Sequence, residues 1–173
     1  MALQLIFVVE TNTKCKSDWI YIKDTIEHFY KYELTQMKFT PVYMNGKGNF
    51  KNKEKEIKSL MAQFAHANKD NQTKVIYCFD CDDYDVNQVD KVFLRKAREY
   101  CVRLGYDFVW FCKDIERVYL DKKVEDKDKK KEASAFKEKK AIASIDKRKL
   151  SANAYRVNSS NLMMILDKYM MRK

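Results

Sequence analysis

Between Lys74 and Asp83 the chain reads Lys-Val-Ile-Tyr-Cys-Phe-Asp-Cys-Asp-Asp, an apolar stretch that stops abruptly in acid. A run this rich in β-branched and aromatic residues predicts a strand buried on both faces, as parallel strands of α/β sheets are. Asp80-Cys81-Asp82 then falls at the strand's carboxyl end, where open α/β sheets form their ligand sites. Carboxylates so placed suit a divalent cation. Asp85 extends the acid run, but Gln88 three residues later and the helical pattern beyond it predict that Asp85 caps a helix.

The amino-terminal stretch has the same design. Leu3 to Val9 is almost continuously apolar and ends at Glu10. Trp19, Ile22, Ile26, Phe29 and Tyr30 then recur at helical spacing, with Ser17 as the cap. Met37 to Met44 predicts a second strand, closed by the turn Asn45-Gly46-Lys47-Gly48-Asn49. A lysine in a glycine loop can reach phosphate, but the spacing is not that of a Walker motif, so the loop reads as a plain turn. Ile57, Leu60, Met61 and Phe64 mark a second helix, and the apolar set from Val86 to Leu104 a third, stopped by Gly105. Tyr106 to Cys112 predicts a strand, and Lys113 to Leu120 a short helix with Asp114 and Glu116 near its start. Alternation at these lengths argues for an α/β fold with a mostly parallel sheet of about four strands flanked by helices.

From 122 to 149 the composition changes: 12 Lys/Arg stand against 6 Asp/Glu. This segment reads as a solvated loop or exposed helix rather than a dedicated nucleic-acid arm. Residues 150–157 read as a last strand or as irregular chain, and Leu162, Ile165, Leu166, Tyr169 and Met170 as a closing helix behind Ser159 or Ser160. The expected organisation is an α/β core over 1–121, with a basic segment and helical C-terminal extension over 122–173 packed on it as one domain.

At 173 residues one domain with a sizeable core is expected. The net charge of +10 favours an anionic partner such as nucleic acid, although 28 Lys against 7 Arg also fits AT-rich coding bias. No apolar stretch reaches roughly 18 residues, and the amino terminus lacks a basic n-region and a small-residue cleavage site, so neither a membrane span nor export is expected. Five cysteines, an odd set largely inside apolar runs, predict reduced core thiols in a cytoplasmic protein. Cys78-Phe79-Asp80-Cys81 is formally C-x-x-C, but it has no second pair, and the only histidines, His28 and His66, lie on helical faces. Zinc or redox chemistry is therefore disfavoured.

Glu10, Asp80 and Asp82 all fall at the carboxyl ends of inferred parallel strands, so the fold would bring them together. The run Ile6-Phe7-Val8-Val9-Glu10, a helix beginning near Ser17-Asp18, and Ile76-Tyr77-Cys78-Phe79-Asp80-Cys81-Asp82 together resemble the Toprim domain, over roughly residues 3 to 120. Such domains occur in primases, topoisomerases, recombination proteins and the OLD and RloB-like nucleases, and the small standalone members are the most similar. The resemblance implies a Rossmann-like fold, Glu10 as general acid or base, and Asp80 and Asp82 as ligands of Mg²⁺ or Mn²⁺. Small RloB-like members carry a further acid after a later strand. Ile115-Glu116-Arg117-Val118 is similar, which adds Glu116 as a ligand that would complete a second metal position. Thr11 stands where Toprim domains usually have Gly. Lys137, Lys139 and Lys140 are candidate phosphate contacts.

The implied function is Mg²⁺-dependent nuclease or related phosphodiester chemistry on nucleic acid, with a possible protein partner from a defence or mobile-element system. Two alternatives are a non-catalytic nucleic-acid- or protein-binding module on the same fold, and a nucleotide phosphohydrolase or transferase. Asp80-Cys81-Asp82 also resembles the aspartate phosphatase signature of the haloacid dehalogenase group. That family, however, opens its fold with the motif and follows it with Gly-Thr, and neither holds here.

Overall fold

The computed structural model describes all 173 residues. β1 (Leu3–Val9) leads through α1 (Ser17–Phe29) and the short β2 (Tyr30–Lys31) to β3 (Met37–Tyr43). A 3-10 turn over Lys47–Lys53 runs into α2 (Glu54–Ala67), followed by β4 (Gln72–Asp80), α3 (Gln88–Leu104), β5 (Asp107–Cys112) and α4 (Ile115–Leu120). The remainder holds α5 (Lys129–Glu138), β6 (Ser159–Ser160), α6 (Leu162–Leu166) and β7 (Met171–Arg172).

The main sheet has the order β3-β1-β4-β5-β6, parallel except for the β5–β6 pair. Alternate residues of β1 explain its unbroken apolar character. Leu5, Phe7 and Val9 face a layer containing α1, α4, α5 and α6, whereas Ile6 and Val8 face α2 and α3. From β1 the chain moves first to β3 on one side and later to β4 on the other. The strand order thus reverses between β1 and β4, which opens a crevice beyond their carboxyl ends.

The sequence reading counts four strands, and the sheet has five. The fifth is a two-residue piece of serines, too short and polar to carry a hydrophobic pattern. The next residue extends its work: the Asn161 side chain accepts from the Trp110 N–H at 3.0 Å and donates to the Phe108 carbonyl at 2.9 Å. On the opposite edge Pro41 lies within β3, a position at which an edge strand has no N–H to offer.

Several local expectations are corrected. Asn87, not Asp85, caps α3, its side chain accepting from the N–H groups of Val89 and Asp90. Val86 is 81% exposed, outside the helix. Ser17 is not a cap but a buried residue of the first turn of α1, with Lys16 at the cap position. Gly105 does close α3 in the left-handed conformation, at φ 68°, its N–H donating to the Cys101 carbonyl. The closing helix is only Leu162–Leu166, because the chain then turns so that β7 can pair with β2. All five cysteines are free thiols. No helix is long and apolar enough to cross a membrane.

Of the two readings of the basic segment, solvated loop or exposed helix, α5 is the helix, with most of its lysines exposed but one face docked. Ala133 and Phe136 of α5 are buried. The Phe136 ring meets Tyr21 of α1 edge-on at 5.3 Å and Tyr119 of α4 at 5.6 Å. Two apolar residues among lysines suffice because the spacing i, i+3 puts both on one helical face. Phe136→Ala is expected to cost about 3–5 kcal/mol in urea unfolding, as for other buried aromatics. A cost below about 1 kcal/mol would show that α5 is not held by this contact.

Candidate active site

Glu10 and Asp80 end neighbouring strands at the crevice. The Asp80 N–H donates to Glu10 Oε1 at 2.9 Å, which ties the two strand ends together. Asp80 Oδ1 in turn accepts from the Ile115 N–H at the start of α4, also at 2.9 Å. A third carboxyl comes from the first turn of α1, where Asp18 Oδ2 accepts from the Thr11 N–H at 3.2 Å. Together with Lys129 of α5, these acids line a well of about 450 Å³. Behind Lys129 stands Glu116, 1% exposed, its nearest cation being Lys129 Nζ at 3.8 Å. Neither oxygen of the Glu116 carboxyl has a hydrogen-bond partner.

The acids raise one another's proton affinity. Burial pushes the Glu10 carboxyl up to about 8, with Asp18 and Asp82 adding to the shift, while the Asp80 N–H and Lys47 oppose it. Burial, then Glu10, Asp18 and Glu116, hold Asp80 well above the usual carboxylate range. Burial raises Asp18 too. Glu116 is raised to about 7 by burial and then by Asp18, against the pull of Lys129. Glu10, Asp18, Asp80 and the exposed Asp126 thus line the well with Lys129, which pairs with Asp126 at 3.3 Å, and Glu116, Asp80 and Asp18 hold the Lys129 proton above the ordinary range.

Asp82 lies in a different environment from Asp80. It takes a left-handed backbone, φ 50°, and donates its N–H to the Lys113 carbonyl at 2.7 Å. Its carboxyl pairs with Lys47 of the glycine turn. Lys47 also reaches Asp90 at 3.3 Å and lies over the Phe93 ring at 4.8 Å. Nearby, Lys113 pairs with Asp83 at 3.0 Å and Asp85 at 3.4 Å. The Asp-x-Asp motif therefore sends one carboxylate into the acidic well and the other into a lysine-neutralised loop. No group of three or more Asp, Glu, His or Cys side chains stands in metal-ligand geometry.

Of the predicted site residues, Glu10, Asp80 and Glu116 converge, and Asp82 flanks them. Lys137, Lys139 and Lys140 are exposed and none lines the well. Three neighbours were not picked out from the sequence: Asp18, Lys129 and Lys47, the last set aside as part of a turn. Asp18 had a legible signal, an acid in the first helical turn directly after the Glu10 loop. Lys129 had none, being one lysine in a lysine-rich run. No family model, curated protein or solved structure matches this chain.

Proposed function

We propose that the well between β1 and β4 is a Toprim-type site for a divalent cation, Mg²⁺ or Mn²⁺, and that the chain processes phosphodiesters of nucleic acid. The observation that carries this reading is the convergence of Glu10, Asp18 and Asp80 on one well, with Glu116 acting on Asp80 from close by and its buried oxygens without a hydrogen-bond partner. Buried carboxyls without enough cations are costly, and a hard divalent ion is the counter-charge that their chemistry fits. Glu10, Asp80 and Asp18 would hold it, with Glu116 behind them and Asp82 joining on release from Lys47. When bound, such an ion supplies charge stabilisation at a phosphoryl oxygen.

The chain's own residues supply the rest. Glu10 Oε1 is occupied by the Asp80 N–H, so Oε2 is the oxygen that holds and moves a proton. Without the cation a group raised to about 8 is largely protonated at neutrality, and a bound cation would lower that proton affinity toward the range a general acid or base needs. Lys129 lines the well and Lys47 acts on Glu10 by charge, and both would orient a phosphate. A second reading, a non-catalytic nucleic-acid-binding module, is favoured by the engagement of Asp82 with Lys47.

Calorimetric titration of Mg²⁺ and Mn²⁺ into the full chain, followed by incubation with labelled DNA and RNA, separates the two. Ion binding at millimolar or tighter affinity with ion-dependent cleavage is the expected result. No ion binding, with nucleic-acid binding that responds to salt alone, would replace the enzyme by the binding module.

A further inference from the structure

Three hollows run into one another along the β5–β6 edge of the molecule. One, of about 350 Å³, lies between α3 and Tyr155; a second, of about 410 Å³, shares Arg98 and Tyr155 with it. The third, of about 630 Å³, shares Ala152, Asn153 and Met164 with the second. No Asp or Glu lines any of them, in contrast to the acidic well.

Cations line this groove for a positional reason. Lys91, Arg95 and Arg98 recur at i, i+4 and i+7 of α3, so they project from one face over roughly 10 Å of helix. Arg95 lies 4.0 Å from Glu99, and Lys168 and Arg148 are paired with Asp107 and Asp146. Lys91, Arg98 and Arg156 are exposed and have no carboxylate partner. Between the cations stands an aromatic cluster: Tyr155 meets Tyr84 at 5.2 Å and Trp110 at 4.9 Å. Trp110 is buried, but Tyr84 and Tyr155 are half-exposed to the groove. Tyr84 belongs to the loop that also carries Asp82, so one end of the groove lies beside the lysine-neutralised loop that flanks the acidic well.

We propose that this groove binds a segment of single-stranded nucleic acid, its phosphates on Lys91, Arg98 and Arg156 and its bases against Tyr84 and Tyr155. Free cations without competing carboxylates give affinity for the backbone. Half-exposed tyrosine rings between them accept unstacked bases, which a paired duplex does not present. The proposal rests on the phosphodiester reading only for its direction, a strand leading toward the loop of Asp82.

The test is fluorescence anisotropy of labelled single-stranded oligonucleotides, DNA and RNA, of about 15 nucleotides. It is made on the full chain in EDTA, so that the acidic site plays no part. The wild type should bind the single strand more tightly than the matching duplex. Lys91→Ala/Arg98→Ala/Arg156→Ala should weaken binding at least tenfold and flatten the log K against log salt slope by about 2, from three lost phosphate contacts. Tyr84→Ala should weaken it about tenfold with the slope unchanged. Equal affinity in the triple variant, preference for duplex, or displacement by polyglutamate as effective as by unlabelled strand would overturn the proposal. Asp80→Asn should bind normally in EDTA. Loss of metal binding with this groove intact sinks only the active-site reading, and the reverse pattern sinks only the groove.

Discussion

Asp80→Asn is expected to abolish metal-dependent cleavage while making the metal-free protein more stable. Asparagine keeps an Oδ1 that can accept the Ile115 N–H, so the bond that joins β4 to α4 survives. What disappears is a carboxyl whose charged form burial and four neighbouring acids, Glu10, Asp18, Glu116 and Asp114, disfavour. Removing such an uncompensated charge should stabilise the fold by about 1–3 kcal/mol. Activity should fall by at least about 10²-fold, the order found when a charge-stabilising group is removed from an active site. Thermal melts in EDTA and cleavage assays in Mg²⁺ check the two halves separately. A variant that melts lower than the wild type, or cleaves as fast, contradicts the assigned role. A purely structural aspartate would give lower stability, and that opposition of sign makes the experiment decisive.

The second large effect is on pH. Glu10 at about 8 and Glu116 at about 7 both stand above the ordinary value of 4.5. Below 4.5 the folded and unfolded chains are both protonated at these positions, and neither group costs stability. Between 4.5 and about 8 the folded chain keeps protons that the unfolded chain releases, so stability falls as pH rises. The slope is up to about 1.4 kcal/mol per pH unit for each group in its window. Asp18 and Asp80 are raised and act in the same direction. Urea unfolding across this range in EDTA should show the decline, Mg²⁺ should flatten it, and Glu116→Gln should remove part of it. Stability that is level or rising from pH 5 to pH 8 in EDTA would mean that these carboxyls are not crowded in solution.

The sheet was legible where burial on both faces leaves an unmistakable mark. Leu3–Val9 and Val75–Phe79 are apolar at every position because both layers cover them, and the acids at their ends followed from that. The convergence of Glu10 with Asp80 needed only the topology rule for parallel strands. Asp82 was harder: its separation from Asp80 depends on a left-handed residue and on a lysine some 35 positions away, neither of which a motif encodes. Lys129 was invisible because its position is set by Phe136 and Ala133, which anchor the helix without marking which lysine points inward. Asn161 and β6 escaped notice because edge pairing made by a side chain and two serines has no periodicity to read.

The two sheet borders have a consequence for assembly. A strand from another molecule can extend a sheet only where a row of N–H and C=O groups is free. On the β5 side the Asn161 amide already engages the Trp110 N–H and the Phe108 carbonyl, and on the β3 side Pro41 interrupts the donor row. Neither border offers an uninterrupted template, so self-association of this chain would run through side-chain surfaces and not by growth of a continuous intermolecular ribbon. At the lysine-rich exterior, that growth would also have to overcome the repulsion of two +10 partners.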